Sequence, residues 1–199
     1  MISVDIDRLV QSAIRVSILP WEDELARRVG EGRTNQNKGK SDRHSYDATK
    51  LMDNLLANQH AAVAEIGVAK ALGAYCYAGI WDAKDHNLFS TLPDVQWGQT
   101  EVEVKWRRNG KSMPVDRKDA EADRLVIWAE CRLSTTYGCQ CVFCSQWKTP
   151  ISQSVVRVLG GGWAKGLWNQ GTSYNGDTNR VSVSPNYLTP IHDIIEGLR

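Results

Sequence analysis

The chain has 199 residues, 42% of them hydrophobic and 24% charged, which excludes a disordered or fibrous protein and makes a single globular domain the expectation. Lys and Arg number 24 against 23 Asp and Glu, and a net charge of +1 excludes a polybasic binder as a whole-chain description. No secretory leader is read at MISVDIDRLV and no apolar run is long enough to span a bilayer. Five Cys, an odd number, suit a reducing compartment, so a cytoplasmic protein with no membrane partner is expected.

Residues 2–30 are predicted helical, with Ile6, Leu9, Val10, Ala13 and Ile14 at three- and four-residue spacing; Pro20 interrupts before Trp21 to Val29 resumes. Gly30 to Ser45 holds almost no apolar residue and reads as a mobile basic loop carrying Arg33, Lys38, Lys40 and Arg43. Tyr46 to Leu72 is the clearest helix: Leu51, Leu55, Ala62, Ile66 and Ala69 form a stripe, and Gly73 is a natural stop. Residues 74–92 read as irregular or strand-like. Glu101 to Arg107 alternates valine with charge, which predicts a strand with Val102 and Val104 on one face and Glu101, Glu103 and Lys105 on the other.

Arg124 to Cys131 and Gln140 to Trp147 are two further strand candidates, and Ser154 to Leu159 is a short apolar element. Gly160 to Gly176 reads as a long loop. Its Gly160-Gly161-Gly162 is a turn rather than a phosphate loop, because no Gly-Lys-Ser/Thr follows. Val181 to Ser184 is β-like. Thr189 is placed as the cap and Pro190 as the first residue of a last helix, whose apolar face is Ile191, Ile194, Ile195 and Leu198. The expected fold class is α/β, with a mixed central β-sheet flanked by helices. Along the chain this gives a helical segment 1–29, a basic loop 30–45, a core 46–147 and a C-terminal extension 148–199.

The chemistry concentrates in Leu92-Pro93-Asp94-Val95 and Glu103-Val104-Lys105. Glu103 and Lys105 are two apart on a strand and share a face. Asp94 lies nine residues before Glu103, enough for a tight turn to set the two carboxylates side by side. Such a pair repels unless a cation joins it or one member stays protonated. Oxygen ligands suit Mg²⁺ or Mn²⁺. A neighbouring Lys105 would position or deprotonate an attacking water, the latter helped by a lowered pKa. Glu65 stands among Ala61, Ala62, Ala69 and Leu72, where a lone carboxylate needs a partner. Lys70 lies about 140° round the helix and is not that partner. A metal, or a water bound to one, is the expected answer.

With Pro93-Asp94, then Glu103-Val104-Lys105, preceded by a Glu in the alanine-rich AEIGVAKALG stretch, residues 46–147 resemble the PD-(D/E)xK nuclease superfamily, the restriction-endonuclease-like fold. The resemblance implies metal-dependent phosphodiester hydrolysis. It implies Asp94, Glu103 and the Val104 carbonyl as metal ligands, Lys105 as the residue orienting the water, and Glu65 on a second metal or a metal-bound water. The implied partner is DNA, whether duplex, branched or single-stranded, and a homodimer is left open.

Arg107, Arg108, Lys111, Arg117 and Lys118 form a second cationic segment after the motif; with the 30–45 loop it would neutralise phosphates. Trp97 and Trp106 are read as packing ahead of base stacking. Cys131, Cys139, Cys141 and Cys144 follow no standard zinc or cluster spacing and are read as core. His44, His60, His86 and His192 form no ligand spacing. The competing functional reading is a catalytically inactive nucleic-acid- or partner-binding domain on the same fold.

Overall fold

The computed structural model describes residues 4–37, 51–76, 92–106, 112–134, 151–174 and 176–198. The described elements are α1 (Val4–Gln11), β1 (Ile14–Ser17), α2 (Pro20–Asn37), α3 (Leu51–Leu72), β2 (Tyr75–Cys76), β3 (Val95–Trp97), β4 (Thr100–Trp106), β5 (Met113–Asp116), α4 (Arg117–Glu121), β6 (Leu125–Arg132), β7 (Val155–Trp163), α5 (Ala164–Gln170), β8 (Thr172–Tyr174), β9 (Asp177–Val183), β10 (Thr189–Pro190) and α6 (Ile191–Gly197). The central sheet runs β1-β7-β6-β4-β3-β2, with β10 added to β7. β4 and β6 are parallel and the other pairs antiparallel, so the sheet is mixed, as expected. A separate three-stranded sheet runs β5-β9-β8.

The central sheet is apolar on both faces. Val102, Val104, Leu125, Ile127 and Ala129 pack against Ala62, Val63 and Ile66 of α3. Val126 and Trp128 face the other way, onto Leu9 of α1, Leu167 of α5, and Met113, Val115 and Val183 of the small sheet. β6 is therefore buried along nearly its whole length, and Leu125 to Ala129 read as an apolar run, as a strand covered on both sides must. Gly67 lets α3 close onto the sheet: a Cβ there would stand 2.5 Å from the Val156 side chain.

Several expectations are corrected. Ile14–Ser17 is an edge strand against β7, not helix. α2 continues through Gly30 to Asn37, so the first part of the expected basic loop is helical, while 38–50 lie outside the described residues. Two features explain the extension. Arg28 pairs with Glu24 at 2.9 Å and Arg27 pairs with Glu31, both one turn apart. Gly30 lets α2 lie close on α3, since a Cβ there would meet the Gln59 backbone at 2.9 Å.

Gly160–Gly162 is not a turn but the second half of β7, and Ala164–Gln170 and Thr172–Tyr174 replace the rest of the expected long loop. Gly161 is required because a Cβ would lie 1.9 Å from the Val126 carbonyl oxygen. Residues 148–199, set apart above as an extension, thus supply the strand between β1 and β6. Pro190 pairs with Gly160 in β10 and is the cap of α6 rather than its first residue. The Gln140 to Trp147 strand candidate lies outside the described residues.

Candidate functional site

The β3–β4 hairpin turns at Gly98, whose φ of 58° needs glycine or a strained residue. Its register sets Val95 opposite Val102, and Asp94, one residue before β3, lies near enough to Glu103 to repel it. The tight turn expected from the spacing is present. Asp94 Oδ2 accepts the Val104 N–H at 2.8 Å. Glu103 and Lys105 share the face opposite Val102 and Val104, as the alternation requires.

On that face Lys105 Nζ donates to Glu103 Oε1 at 3.0 Å, Asp116 Oδ2 at 2.8 Å and Asp119 Oδ2 at 3.0 Å. An ammonium has three protons, and all three are used. Arg124, at the start of β6, donates its Nε to Glu101 at 2.9 Å and sets Nη1 at 3.5 Å from Asp119 and 3.7 Å from Glu103. Arg180 on β9 donates to the other Asp116 oxygen at 2.6 Å. Lys118, more than half exposed, stands 3.9 Å from Glu103.

The carboxyls divide by environment. Burial, then repulsion from Glu65, pushes Asp94 up to about 7. Burial, then repulsion from Asp94, does the same to Glu103. Burial alone would also raise Asp116, but Lys105 and Arg180 outweigh it and hold that carboxyl at about 2. Burial would lower Lys105; Glu103, Asp116 and Asp119 overcome this and raise it well above the ordinary lysine range. The lowered pKa expected for Lys105 is therefore corrected: three carboxylates hold its proton in place.

Glu65 has a protein partner. Arg33 Nη1 and Nη2 donate to Glu65 Oε1 and Oε2, each at 2.7 Å, and both side chains are buried. Arg33 is thus removed from the set of exposed phosphate contacts, because its helix packs on α3 and turns it inward. Glu65 does not need a metal to be paired. Lys70 pairs instead with Glu22 at 2.7 Å, consistent with its place round the helix.

Asp94, Glu103 and Lys105 are brought together, with Glu65 and Arg33 near enough to act electrostatically on Asp94. Val104, expected as a ligand through its carbonyl, meets Asp94 through its amide N–H. Lys38, Lys40, Arg43, Arg107, Arg108 and Lys111 lie outside the described residues, as do Cys139, Cys141 and Cys144. Cys131 is buried against His60 Nδ1 at 3.0 Å, and His60 stacks on Trp106 with ring centroids 4.6 Å apart, so Cys131, His60 and Trp106 pack in the core.

The sequence reading missed Asp116, Asp119, Arg124 and Arg180. Arg124, a cation immediately before the apolar run Leu125 to Ala129, was the visible signal. The others come from a separate small sheet and a five-residue helix, with no spacing relation to the motif. A cavity of about 160 Å³ lined by Arg15, Glu130, Arg132 and Arg157 lies elsewhere on the central sheet and does not include the carboxylate pair. Among the described residues, no group of three or more His, Cys, Asp or Glu side chains is arranged to hold a metal ion. Comparison with family models, with curated proteins and with solved structures finds no match. Among the described residues, no helix is long and apolar enough to cross a membrane.

Proposed function

We propose that the chain is a divalent-metal-dependent nuclease that hydrolyses phosphodiester bonds in DNA on a restriction-endonuclease-like fold. The observation that carries this reading is the β3–β4 hairpin: Asp94, just before β3, accepts the amide of Val104, the residue after Glu103, and Lys105 on the face of Glu103 bonds it at 3.0 Å. Burial pushes both carboxyls up to about 7, and Asp94 repels Glu103, a repulsion that a cation held between them would relieve. Their oxygen donors fit Mg²⁺ or Mn²⁺. Asp94 and Glu103 would hold the ion, and when bound it would neutralise both and lower the pKa of a coordinated water.

The remaining steps belong to the chain's own groups. Lys105, fixed by Glu103, Asp116 and Asp119, carries a permanent charge beside the pair. That suits stabilisation of charge developing on a phosphate oxygen, not removal of a proton from water. The Val104 amide orients Asp94. Arg33 holds Glu65 in the geometry from which it acts on Asp94.

Incubation of supercoiled plasmid with Mn²⁺ tests the proposal. Nicking by the wild type, lost in Asp94→Asn and Glu103→Gln while both variants remain folded, is expected. Full cleavage by both variants would refute the site assignment. A second reading has its own support: Lys105 and Glu65 are already fully engaged, which suits a catalytically inactive binding domain on this fold. Binding of DNA without cleavage of linear, nicked, branched or single-stranded substrates would favour it.

A further inference from the structure

The small β5-β9-β8 sheet abuts the Lys105 cluster through one residue. Asp116 takes Lys105 on one oxygen and Arg180 on the other, and the register pairs Asp116 with Arg180 across β5 and β9. Beside it three cations approach the surface. Arg180 lies over the Tyr174 ring at 5.9 Å, and Arg117 lies over the Trp168 ring at 5.7 Å. Lys118 is 55% exposed with its ammonium 3.9 Å from Glu103, so it sits where the buried cluster meets solvent.

Both arginines are ordered before any ligand arrives. One N–H of Arg180 goes to Asp116, and one of Arg117 goes to the Thr178 carbonyl at 2.8 Å. A guanidinium carries five donors, so each retains several for a ligand. A planar guanidinium fixed over an aromatic ring loses less side-chain freedom on binding than a free one. One pair lies on the small sheet, Arg180 of β9 over Tyr174 of β8, and the other joins α4 to α5, Arg117 over Trp168, so both stand next to Asp116 and the carboxylate site.

We infer that Arg117, Lys118 and Arg180 form a phosphate-binding rim that takes the backbone of a polynucleotide on the small-sheet side of the Asp94–Glu103 site, with Trp168 and Tyr174 as rigid backing for the two guanidiniums. This rests on the nuclease reading for the placement of the scissile phosphate, but not for the binding itself. The rim reads charge and spacing, not sequence.

The experiment measures the affinity of a fluorescein-labelled duplex oligonucleotide of mixed sequence across a salt series in EDTA, which prevents cleavage. Arg117→Gln/Lys118→Gln is expected to weaken binding about tenfold or more at low salt. It should reduce the slope of log affinity against log salt by about 0.9 per lost phosphate contact. Its thermal midpoint should stay within about 2 °C of wild type, since both side chains are exposed. Arg180→Lys keeps the charge on Asp116 but loses the planar fork, and should weaken binding with less change of slope. Trp168→Leu should weaken binding at unchanged slope, because the ring meets no phosphate.

A folded double variant with wild-type affinity and slope overturns the inference. So does a wild type that binds no oligonucleotide, or one from which polyglutamate displaces the DNA as readily as unlabelled DNA does. If wild type nicks plasmid with Mn²⁺ while the double variant binds normally, this inference alone fails. If wild type never cleaves while the double variant loses binding, the rim stands and the nuclease reading fails.

Discussion

Two buried acidic sites, one centred on α3 and one on β4, solve the same problem differently. On the helical side, Glu65 is satisfied by one partner, Arg33, with both oxygens matched by both terminal nitrogens. On the strand side, Glu103, Asp116 and Asp119 share Lys105, with Arg124, Lys118 and Arg180 beside them, and Asp94 accepts the Val104 amide. A closed pair has no spare charge and no redundancy. A shared cluster has both, and can accept a change of charge, which is what a site that binds a cation or a phosphate requires.

The sharpest way to break this contrast is Arg33→Ala. It leaves Glu65 buried and unpaired, and should cost about 3–5 kcal/mol in urea unfolding. The paired replacement Arg33→Met/Glu65→Leu should recover most of that loss, because the desolvation cost of both ions disappears with them. A loss under about 1 kcal/mol for Arg33→Ala would mean that the pair is not desolvated. Lys105→Met should cost less, about 1–3 kcal/mol, because Asp116 keeps Arg180 and Asp119 keeps Arg124. An equal or larger cost than Arg33→Ala would show that the cluster lacks the redundancy assigned to it.

The pH dependence of the metal-free protein sharpens the strand side. Asp94 and Glu103 have folded pKa values of about 7, above their unfolded values, so the folded state keeps protons that the unfolded chain has released. Their contribution is fully present below the unfolded values and is lost as pH rises through about 7. Stability should fall by roughly 1–3 kcal/mol between pH 5 and 8, a figure already reduced for the partial exposure of Asp94. The combined Asp94→Asn/Glu103→Gln variant should flatten that slope, and Mn²⁺ should oppose it in wild type only. Asp116 has the opposite sign: held at about 2, it contributes above its unfolded value and is lost in acid as pH falls through about 2. The smallest effect is expected at Lys70→Met. Its bridge to Glu22 is one-third exposed at the lysine end, and its loss should change stability by about 0–1 kcal/mol.

The strand side was the more legible of the two in sequence. Valine alternating with charge over Glu101 to Lys105 dictates which side chains share a face, and the interval from Asp94 dictates a hairpin; both are local rules. Arg33 was misplaced because its segment has almost no apolar residue, so periodicity gave no helix. The pairs Glu24 with Arg28 and Arg27 with Glu31 were the signal that could have carried α2 past Gly30. Gly160–Gly162 failed for a different reason. Glycine reads as a turn by propensity, whereas here it permits a neighbouring strand's carbonyl to approach, which only tertiary structure reveals. Asp116 and Asp119 reach Lys105, and Arg180 reaches Asp116, from elements whose docking no local pattern encodes.

The position of β7 between β1 and β6 also sets an order of events during synthesis. Ile14 pairs with Val158, so the first strand of the chain has no sheet partner until β7 has left the ribosome. The parallel β4–β6 ladder can form earlier, but β6 then presents an open apolar edge to anything nearby. Nascent chains stalled with Val155–Trp163 still inside the ribosome should therefore be strong clients of holdase chaperones. Those long enough for β7 to have emerged should be weaker clients, and pausing before that point would raise the aggregated fraction without altering the folded protein.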